Sequence, residues 1–479
     1  MRSCLVILAG ILLLGSTAGQ TRTSLANCAA LGGVPFLKSE TRGVSFFASA
    51  QASPYTIGAN IQVSTSQSSL RHYESYAGSD PKRANRLIAC AFVVLSGGEI
   101  DNVFYVSNDR GQTWEHMLTV PNSVDPSCEI GRKGVLFASS VHDQKFADGK
   151  TDSVLSVYRS RNGRNWQPSI VRVETRGIDR AYLTADSTSR RFSNLVYAHG
   201  YHSSKTPTST VLFYPSSDDG KSFHNLIKIS PTTFPHPWFF PANGVVANDG
   251  TFLALLAELD DTKRNMSYRT DPASAPSENA VLDIIQSHDG GKSAAVLSKI
   301  PGVYYDWRVP NLSMPGLAVD RSSGEFRDRL YAVWPDARFE HRTQILFADS
   351  SDGGLTWSEP QIISDDSRSE RPNKEANNFM PAIAVNKDGI VGMSWYDRRD
   401  NPDNVGYWVR FSASRDGGKT WLPSVRVSTA PNIASDDTRK NSGDTAGLTA
   451  DANGLFHPVW IDNRTGIPQM WTAAVQVYR

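Results

Sequence analysis

One eight-residue pattern recurs along this chain and constrains the fold more than any other feature of the sequence. The pattern is Ser-x-Asp-x-Gly-x-Thr-Trp, and its complete copies are residues 107–114, 350–357 and 414–421. Degenerate copies occupy residues 216–223, with Phe in place of Trp, residues 287–294, without the aromatic, and residues 160–166, one residue shorter with Asn in place of Asp. A chain that repeats one short turn six times is built from repeated units.

The residue types of the pattern are those of a tight hairpin turn. An Asp carboxylate can accept hydrogen bonds from backbone N–H groups two residues further on, as in an Asx-turn. Glycine adopts the positive φ that closes such a turn, and the terminal aromatic is large enough to hold the turn against a sheet. Calcium binding or catalysis by these Asp residues is the alternative, but equivalent positions repeated this often indicate a structural role.

A second repeat precedes each turn. It consists of an apolar strand that ends near Asp or Asn, a Gly turn and a second apolar strand, with clear copies at residues 315–320, 381–386 and 446–451. Weaker copies are residues 181–186 and 241–248, and residues 87–94 and 134–140 take the same place in the first two units. We expect these segments to line the centre of the molecule, with the turn on the outer rim.

The second strand ends three times in Trp-x-Asp-x-Arg, beginning at Trp334, Trp395 and Trp460. Alternating positions place the three side chains on one face of a strand. We expect the Asp and Arg to pair, either within one unit or across the junction with the next. Three equivalent sites cannot all be an active centre, so the pattern indicates that these residues have a structural role.

The number of units predicts the architecture. Six units end in the turn, whereas a seventh begins near Asp444 and reaches Arg479 without one. Residues 59–64 form a short strand like those that follow each turn, and they supply the strand that the seventh unit lacks. The sequence therefore predicts an all-β propeller of seven four-stranded antiparallel blades, closed by an N-terminal strand. Six blades are the alternative if one early unit is an insertion.

The first residues predict export. Arg2, the apolar residues 5–14 and small residues near position 18 are typical of a signal peptide at residues 1–19. We expect an N-terminal arm at residues 20–56 and the propeller at residues 57–479, in a monomer that is periplasmic or extracellular. No later stretch is long and apolar enough for a membrane span. The net charge of +1 does not indicate a nucleic-acid-binding surface.

Three cysteines remain after removal of the signal peptide. Cys90 lies in an apolar run and is predicted to be a buried strand residue. Cys28 and Cys128 lie in loop-like sequence, so a bridge between them is the favoured pairing, with the other pairings left open. No cluster of His and Cys has metal-ligand spacing, and we expect neither a metal nor another cofactor.

The repeated turn resembles the Asp-box, also called the bacterial neuraminidase repeat, of the sialidase superfamily. The resemblance implies a propeller whose turns lie on the rim, away from the active site; catalytic sialidase domains have six blades. Sialidases hold the substrate carboxylate with three arginines and use a Tyr nucleophile assisted by a Glu, with an Asp as acid/base. Their first arginine lies in an Arg-Ile-Pro type motif ahead of the first Asp-box. No such motif precedes Ser107 here, and the similar string is residues 308–310.

The candidate site residues lie in loops that enter inner strands or follow second strands. We expect Tyr304 or Tyr305 to be the nucleophile, Glu258 or Glu375 its base, and Asp306 the acid/base. The predicted substrate-binding residues are Arg180, Trp238, His236, Trp307 and Arg308. Aromatic rings stack on sugar faces, and arginines bind carboxylates and hydroxyls. The structural alternative is that these are ordinary residues of the propeller mouth.

Two classes of function follow. The first is a secreted glycoside hydrolase of exo-sialidase type that cleaves a terminal anionic sugar through an oxocarbenium-like transition state. The second is a non-catalytic propeller that binds a glycan or a protein partner on the same face, since the fold serves both. An enzyme should bring two arginines, a tyrosine and a carboxylate into one pocket.

Overall fold

The computed structural model describes residues 53–173, 177–188, 192, 194–202, 210–224, 226–230, 233–235, 237–260, 262, 278–305, 313–339, 342–366, 376–401, 406–433 and 442–479. The compact unit that contains them spans Ser53–Arg479. The predicted signal peptide, most of the predicted arm and Cys28 lie outside the described residues and stay predictions.

Six consecutive antiparallel sheets of four strands form blades 1 to 6, each in chain order from the inside outward. Blades 1 and 2 comprise β3 (Arg71–Ser79), β4 (Leu87–Val94), β5 (Ile100–Ser107), β6 (Glu115–Val120), β7 (Val124–Ile130), β8 (Leu136–Lys145), β9 (Thr151–Ser160) and β10 (Gln167–Val173). Blades 3 and 4 comprise β11 (Ile178–Ala185), β12 (Val196–His202), β13 (Thr210–Ser216), β14 (Ile227–Ile229), β15 (Pro237–Val246), β16 (Phe252–Asp260), β17 (Ala280–Ser287) and β18 (Ala295–Val303). Blades 5 and 6 comprise β19 (Gly316–Val319), β20 (Leu330–Asp336), β21 (Gln344–Ser350), β22 (Gln361–Ile362), β23 (Asn378–Val385), β24 (Val391–Asp397), β25 (Trp408–Ser414) and β26 (Val425–Arg426).

Blade 7 combines the two ends of the described chain. Its strands are β27 (Gly447–Ala450), β28 (Phe456–Asp462), β29 (Gln469–Thr472) and, on the outside, β2 (Ile61–Gln62) from the N-terminal side. Ile61 pairs with Thr472, and Gln62 pairs with Trp471. A further pair, β1 (Tyr55–Ile57) and β30 (Val475–Val477), attaches to β28. The predicted closure by an N-terminal strand is therefore confirmed, and the six-blade alternative is wrong.

The inner strands of successive blades contact one another around a complete ring, which β27 and β3 close. They surround a central channel, whose upper end we define as the end where these strands begin. A short 3-10 turn, η1 (Thr65–Gln67), lies between β2 and β3. No helix in the described part of the chain is long and apolar enough to cross a membrane.

The hydrophobic core is divided into seven clusters, and each lies between two neighbouring blades. Between blades 4 and 5, for example, Leu255 and Leu282 pack with Trp334. Blade sheets are thus covered on both faces, which explains why a second strand such as β16 is buried along its whole length. A strand covered on both faces is apolar throughout rather than alternating.

The assignment of inner strands in the first two units is wrong. Residues 87–94 and 134–140 belong to the second strands β4 and β8, and the inner strands are β3 and β7. These inner strands carry Glu74, Asp125 and Glu129 among their residues, so they lack the apolar signature of the later units. The predicted inner strands at residues 181–186, 241–248, 315–320, 381–386 and 446–451 are confirmed, since they overlap β11, β15, β19, β23 and β27.

The cysteines differ in part from the prediction. Cys90 is a fully buried strand residue, as predicted. Cys128 does not lie in a loop: it is a fully buried residue of β7, and both thiols are free, contrary to the predicted bridge between Cys28 and Cys128. Both side chains belong to the core between blades 1 and 2.

The repeated turn lies between the third and fourth strands of a blade and has the same hydrogen bonds in its five longer copies. At the copy in blade 5, the Ser350 hydroxyl donates to Asp352 and accepts from the backbone N–H of Gly354. The Asp352 carboxylate accepts from the backbone N–H and the hydroxyl of Thr356. The carboxylate therefore accepts hydrogen bonds from the residue four positions further on, rather than two positions as in an Asx-turn. Positive φ at Gly353 and Gly354 turns the backbone towards it. These bonds lower the pKa of Asp352 to about 2, the Thr356 hydroxyl contributing most.

The Trp-x-Asp-x-Arg repeats form the predicted pairs. In blade 5, the Trp334 indole N–H and the Arg338 guanidinium both donate to Asp336, at 3.0 and 2.9 Å. Arg338 also donates to the Gly302 carbonyl of the preceding blade. The arginine therefore links its own blade to the neighbouring blade.

Deleting residues 1–66 should destabilise the entire ring. The deletion removes β1, β2 and backbone bonds such as Val63 N–H to the Met470 carbonyl and Gly58 N–H to the Ala474 carbonyl. Several bonds of this kind at about 0.5–1.5 kcal/mol each predict a loss of about 2 kcal/mol or more. Urea unfolding of this variant, compared with a variant that lacks only residues 1–52, measures the effect. Equal midpoints in the two variants would contradict closure by this strand.

Replacement of Asp352 or Asp416 by Ala should lower stability without altering function. Each replacement removes the acceptor of the Thr hydroxyl and backbone bonds, which predicts a loss of about 1 kcal/mol. Thermal melting measures this loss. Any ligand affinity or activity per folded molecule should be unchanged, and a large fall at unchanged stability would assign the turns a function.

Candidate active site

Five of the seven inner strands contain a β-bulge in the same part of the strand. The register shifts in β3, β7, β11, β15 and β23. A bulge inserts an extra residue and redirects its side chain, and bulges occur preferentially beside functional sites. Here they lie near the upper end of the channel.

Four of these bulges hold a residue other than glycine at positive φ. Glu74, Asp125, Arg180 and Met380 have φ values of 57°, 54°, 55° and 52°. Each is the first residue after the last paired position before its register shift, so the four side chains occupy equivalent places in blades 1, 2, 3 and 6. Such conformations cost about 1–3 kcal/mol each and concentrate at functional sites, where the surrounding structure holds them.

Three of the strained residues meet in what we call the acid cluster: Glu74, Asp125, Asp179, Arg180 and Asp444. The Arg180 guanidinium forms an ion pair with Asp444. The backbone N–H of Arg180 donates to the Asp125 carboxyl at 2.9 Å. The Arg180 and Asp444 side chains are only 10% and 16% exposed, so these charges lie in a narrow opening.

The protonation states in the acid cluster are unusual. Burial, followed by the negative charge of Asp444, raises the pKa of Glu74 to about 8. Burial and the adjacent carboxyl of Asp179, with which Asp125 shares a hydrogen bond, raise the pKa of Asp125 well above its usual range. Burial opposes the charge of Arg180, but the surrounding carboxyl groups outweigh it and raise its pKa. Glu74, with a pKa of about 8, thus keeps its proton at neutral pH beside the ion pair of Arg180 and Asp444.

Aromatic side chains border the acid cluster on the side of blades 3 and 4. The Tyr201 hydroxyl donates to Asp179 at 2.9 Å, and it accepts from the Trp238 indole N–H at 2.8 Å. The Arg180 guanidinium lies over the Phe240 ring, 5.4 Å from its centre. The predicted binding residue Trp238 is therefore connected to the cluster through one tyrosine.

Gly443 allows the chain that carries Asp444 to approach the bulge of β3. The backbone N–H of Glu74 donates to the Ser442 carbonyl at 2.9 Å. A Cβ atom at Gly443 would lie 2.2 Å from Cγ and 2.7 Å from N of Glu74, and the φ of Gly443 is +74°. Only glycine fits here, and this contact brings Asp444 beside Glu74.

A cavity of about 50 Å³ extends from the acid cluster into the upper channel. Tyr76, Tyr182, Asn243, Met380 and Asp444 are among its lining residues. The rings of Tyr76 and Tyr182 meet edge to face at 5.8 Å. This small space is therefore bordered by one carboxyl group of the acid cluster, two phenols and an amide.

Of the predicted nucleophiles, Tyr305 lies near the acid cluster. It is buried, its hydroxyl donates to the Ser313 carbonyl, and the charges of Arg180 and Asp444 act on it. Burial raises the pKa of Tyr305. Tyr304 contacts a different partner, since its ring lies under the Arg338 guanidinium at 5.3 Å.

Glu258 has no contact with the acid cluster among the described residues. It is fully buried in β16, accepts backbone N–H bonds from Thr233 and Phe234, and lies 3.4 Å from the Lys299 ammonium. These contacts all belong to blade 4 or to the segment that leads into it. The remaining predicted site residues lie outside the described residues and stay predictions: Asp306, Glu375, His236, Trp307 and Arg308.

Sequence reasoning missed Glu74, Asp125 and Asp444 as site residues. Glu74 and Asp125 lie on the two inner strands that the apolar pattern of the sequence does not reveal, and Asp444 marks in the sequence only the start of a blade. The signal that could have found Glu74 and Asp125 is their position, because they occupy in blades 1 and 2 the place that the predicted residue Arg180 occupies in blade 3. In the described part of the chain no group of three or more His, Cys, Asp or Glu side chains is arranged to hold a metal ion.

Comparison with known proteins gives matches in structure only. No protein-family model and no curated protein sequence matches the chain. The structure is similar to the Hadza microbial sialidase Hz136, at 14% identity and a TM-score of 0.45, covering 79% of this chain and 73% of that one. It is similar to the Penicillium chrysogenum α-L-arabinanase at 10% identity and a TM-score of 0.42, covering 88% and 98%. The intramolecular trans-sialidase of Ruminococcus gnavus matches at 11% identity and a TM-score of 0.41, covering 84% and 94%.

The seven blades and the turns between their third and fourth strands make this a sialidase-like β-propeller. The resemblance predicted from the sequence is confirmed for the fold. At identities of 10–14% the comparisons do not extend to activity.

Replacing Arg180 by Gln should destabilise the protein, and more at pH 8 than at pH 5. The variant leaves Asp444 buried without its cation, which predicts a loss of about 3–5 kcal/mol. Without the guanidinium the folded-state pKa values of the carboxyl groups rise further above their unfolded values. Protonation then favours the folded state, so stability recovers as the pH falls from 8 to 5.

Urea unfolding at the two pH values measures this effect. Arg164→Gln is the control, because the exposed pair of Arg164 and Glu115 should contribute less than about 1 kcal/mol. A pH-independent loss in Arg180→Gln would contradict the assigned protonation states.

Proposed function

We propose that the protein acts on glycans and hydrolyses a glycosidic bond at the acid cluster. The observation that carries the proposal is a carboxyl group, Glu74, that remains protonated at neutral pH beside the carboxylate of Asp444. Glycoside hydrolysis needs this combination, a carboxylic acid that protonates the leaving oxygen and a carboxylate near the developing positive charge.

In this proposal Glu74 is the general acid. A pKa of about 8 keeps its proton available at neutral pH while leaving it acidic enough to transfer. Asp444 and Asp179 supply negative charge to the oxocarbenium-like transition state. As the leaving oxygen departs with the proton of Glu74, a water molecule bonds to the anomeric carbon and gives its proton to the carboxylate of Asp444. Arg180 positions Asp444 through the ion pair, and the strained bulges hold the groups in place before substrate arrives.

The aromatic border supplies the sugar-binding surface. Trp238 is half-buried: its indole N–H is directed to Tyr201 and its ring packs on Phe240, so only the exposed part of the ring is available to an apolar sugar face. An anionic sugar, as predicted from the sequence, would additionally be bound by Arg180. Arg308, which lies outside the described residues, stays a second predicted arginine for the same role. Since Arg180 is paired with Asp444, an anionic sugar would have to exchange with that carboxylate. A neutral sugar requires no exchange, and both kinds belong in the assay.

A second candidate is the non-catalytic propeller that binds a glycan or protein. The observation in its favour is the phenol of Tyr305, which is buried and bonded to a backbone carbonyl. A nucleophile of sialidase type would have to leave this bond. The predicted role of Tyr305 stays a prediction, and the assay below separates the two candidates.

The test is turnover of a panel of 4-methylumbelliferyl glycosides that includes N-acetylneuraminate and arabinofuranoside. We expect at least one to be cleaved, and kcat/KM to fall as the pH rises through about 8, because Glu74 then loses its proton. Glu74→Gln should lower kcat by about 100-fold or more, whereas Asp352→Ala should retain kcat per folded molecule.

Two outcomes would contradict the proposal. Turnover that Glu74→Gln leaves intact would place the chemistry elsewhere. Glycan-array binding without turnover of any substrate would favour the binding module. In that case Arg180→Lys should still weaken binding, since it loses bidentate geometry.

We also infer export from the cytoplasm, supported by the charge and apolar pattern of residues 1–19. Sequencing the N-terminus of protein recovered from the periplasm and the medium tests this inference. A mature chain that begins near residue 19 or 20 is expected, and an intact Met1 in an exclusively cytoplasmic protein would contradict it.

A further inference from the structure

A second cavity, of about 170 Å³, occupies the lower end of the channel, where the inner strands end. We call it the lower cavity. Glu129, Thr184, Ser187, Asn243 and Arg321 are among the residues that line it. None of these belongs to the acid cluster, which lies where the inner strands begin. The volume corresponds to that of about five or six water molecules in the liquid.

Two opposite charges face this cavity from different sides of the ring. Glu129 is the penultimate residue of β7 in blade 2, and Arg321 follows β19 in blade 5. The charge of Arg321 acts on Glu129, but no ion pair joins these two described residues. Arg321 donates to the Ser187 hydroxyl, and one oxygen of Glu129 accepts from the Ile130 N–H at 3.0 Å. Both groups therefore keep hydrogen-bonding capacity for a molecule between them.

The lower cavity also contains a buried hydroxyl that lacks a partner. Thr184 is 4% exposed, and its Oγ1 has no hydrogen-bond partner. Leaving a buried polar group unpaired costs about 1–3 kcal/mol, so a hydrogen bond from a ligand to this hydroxyl would be favourable. Burial also raises the pKa of Glu129 to about 7, so this carboxyl can donate as well as accept near neutral pH.

We propose that the lower cavity binds a small hydroxy acid. Arg321 holds the carboxylate of this ligand, because a guanidinium matches a carboxylate with two parallel hydrogen bonds. Glu129 and Thr184 bond its hydroxyl groups. The charged residues of this site differ from those of the acid cluster, although Asn243 lines both cavities.

Titration calorimetry of the intact protein with D-glycerate tests the site. D-glycerate carries one carboxylate and two hydroxyls; glycerol lacks the carboxylate, and acetate lacks the hydroxyls. We expect D-glycerate to bind at least about tenfold more tightly than either control compound. Glu129→Gln should weaken binding of D-glycerate less than Arg321→Gln, which should reduce affinity about tenfold or more.

The matched control is Arg327→Gln, an arginine in the same connection whose ion pair is with its neighbour Asp328. It should bind D-glycerate like the unmodified protein, and so should Glu74→Gln, whatever its effect on glycoside turnover. Arg321→Lys retains the charge but loses the bidentate geometry, and it should show intermediate affinity if Arg321→Gln fails to fold.

Three results would overturn the proposal. The first is no heat of binding with D-glycerate up to about 50 mM, the weak end of measurable affinities. The second is equal affinity in Arg321→Gln or Arg321→Lys and in the unmodified protein. The third is equal affinity for acetate and D-glycerate, which would leave a general anion site without hydroxyl recognition.

Discussion

The burial of both faces of every blade is the constraint on which the structure depends. Seven separate hydrophobic clusters lie between neighbouring blades, so no blade has a core of its own. A blade removed from the ring would expose two apolar faces, and the ring is stable only when it is closed. Closure depends on β2 from the N-terminal side pairing with β29 near the C-terminus. Arginines of the Trp-x-Asp-x-Arg repeats add polar links across the junctions, as Arg338 does to blade 4.

The closed ring also makes the candidate active site possible. Glu74, Asp125 and Arg180 adopt a backbone conformation that is unfavourable for each of them alone. They retain it because each lies in a strand that is held on one side by its own sheet and on the other by the next blade. The same surroundings remove water from the carboxyl groups, which raises the pKa values of Glu74 and Asp125. Backbone strain and altered acidity at the channel therefore have one origin, the tight packing of inner strands around a narrow centre.

Much of the fold was predictable because its signals are local. A turn with Ser, Asp, Gly and an aromatic in fixed order specifies its own hydrogen bonds, so its repeats could be counted. The missing turn at the end of the chain predicted closure by residues 59–64. The first two inner strands were not recognised, since Glu74, Asp125 and Glu129 interrupt their apolar pattern. Of the described candidate residues, Arg180, Trp238 and Tyr305 lie at or near the acid cluster, whereas Glu258 makes its contacts inside blade 4.

The sequence by itself determined the number of blades, the position of the turns on the rim and the way the ring closes. These features follow from repeated short segments whose chemistry is complete within a few residues. Only the tertiary structure decided which charged residues meet. Asp444 lies 264 residues from its ion-pair partner Arg180, and Glu74 reaches both only because blades 1, 3 and 7 converge on one channel. No pattern along the chain encodes that distance, since it is set by the curvature of the complete ring and by bulges whose strain no single segment could stabilise.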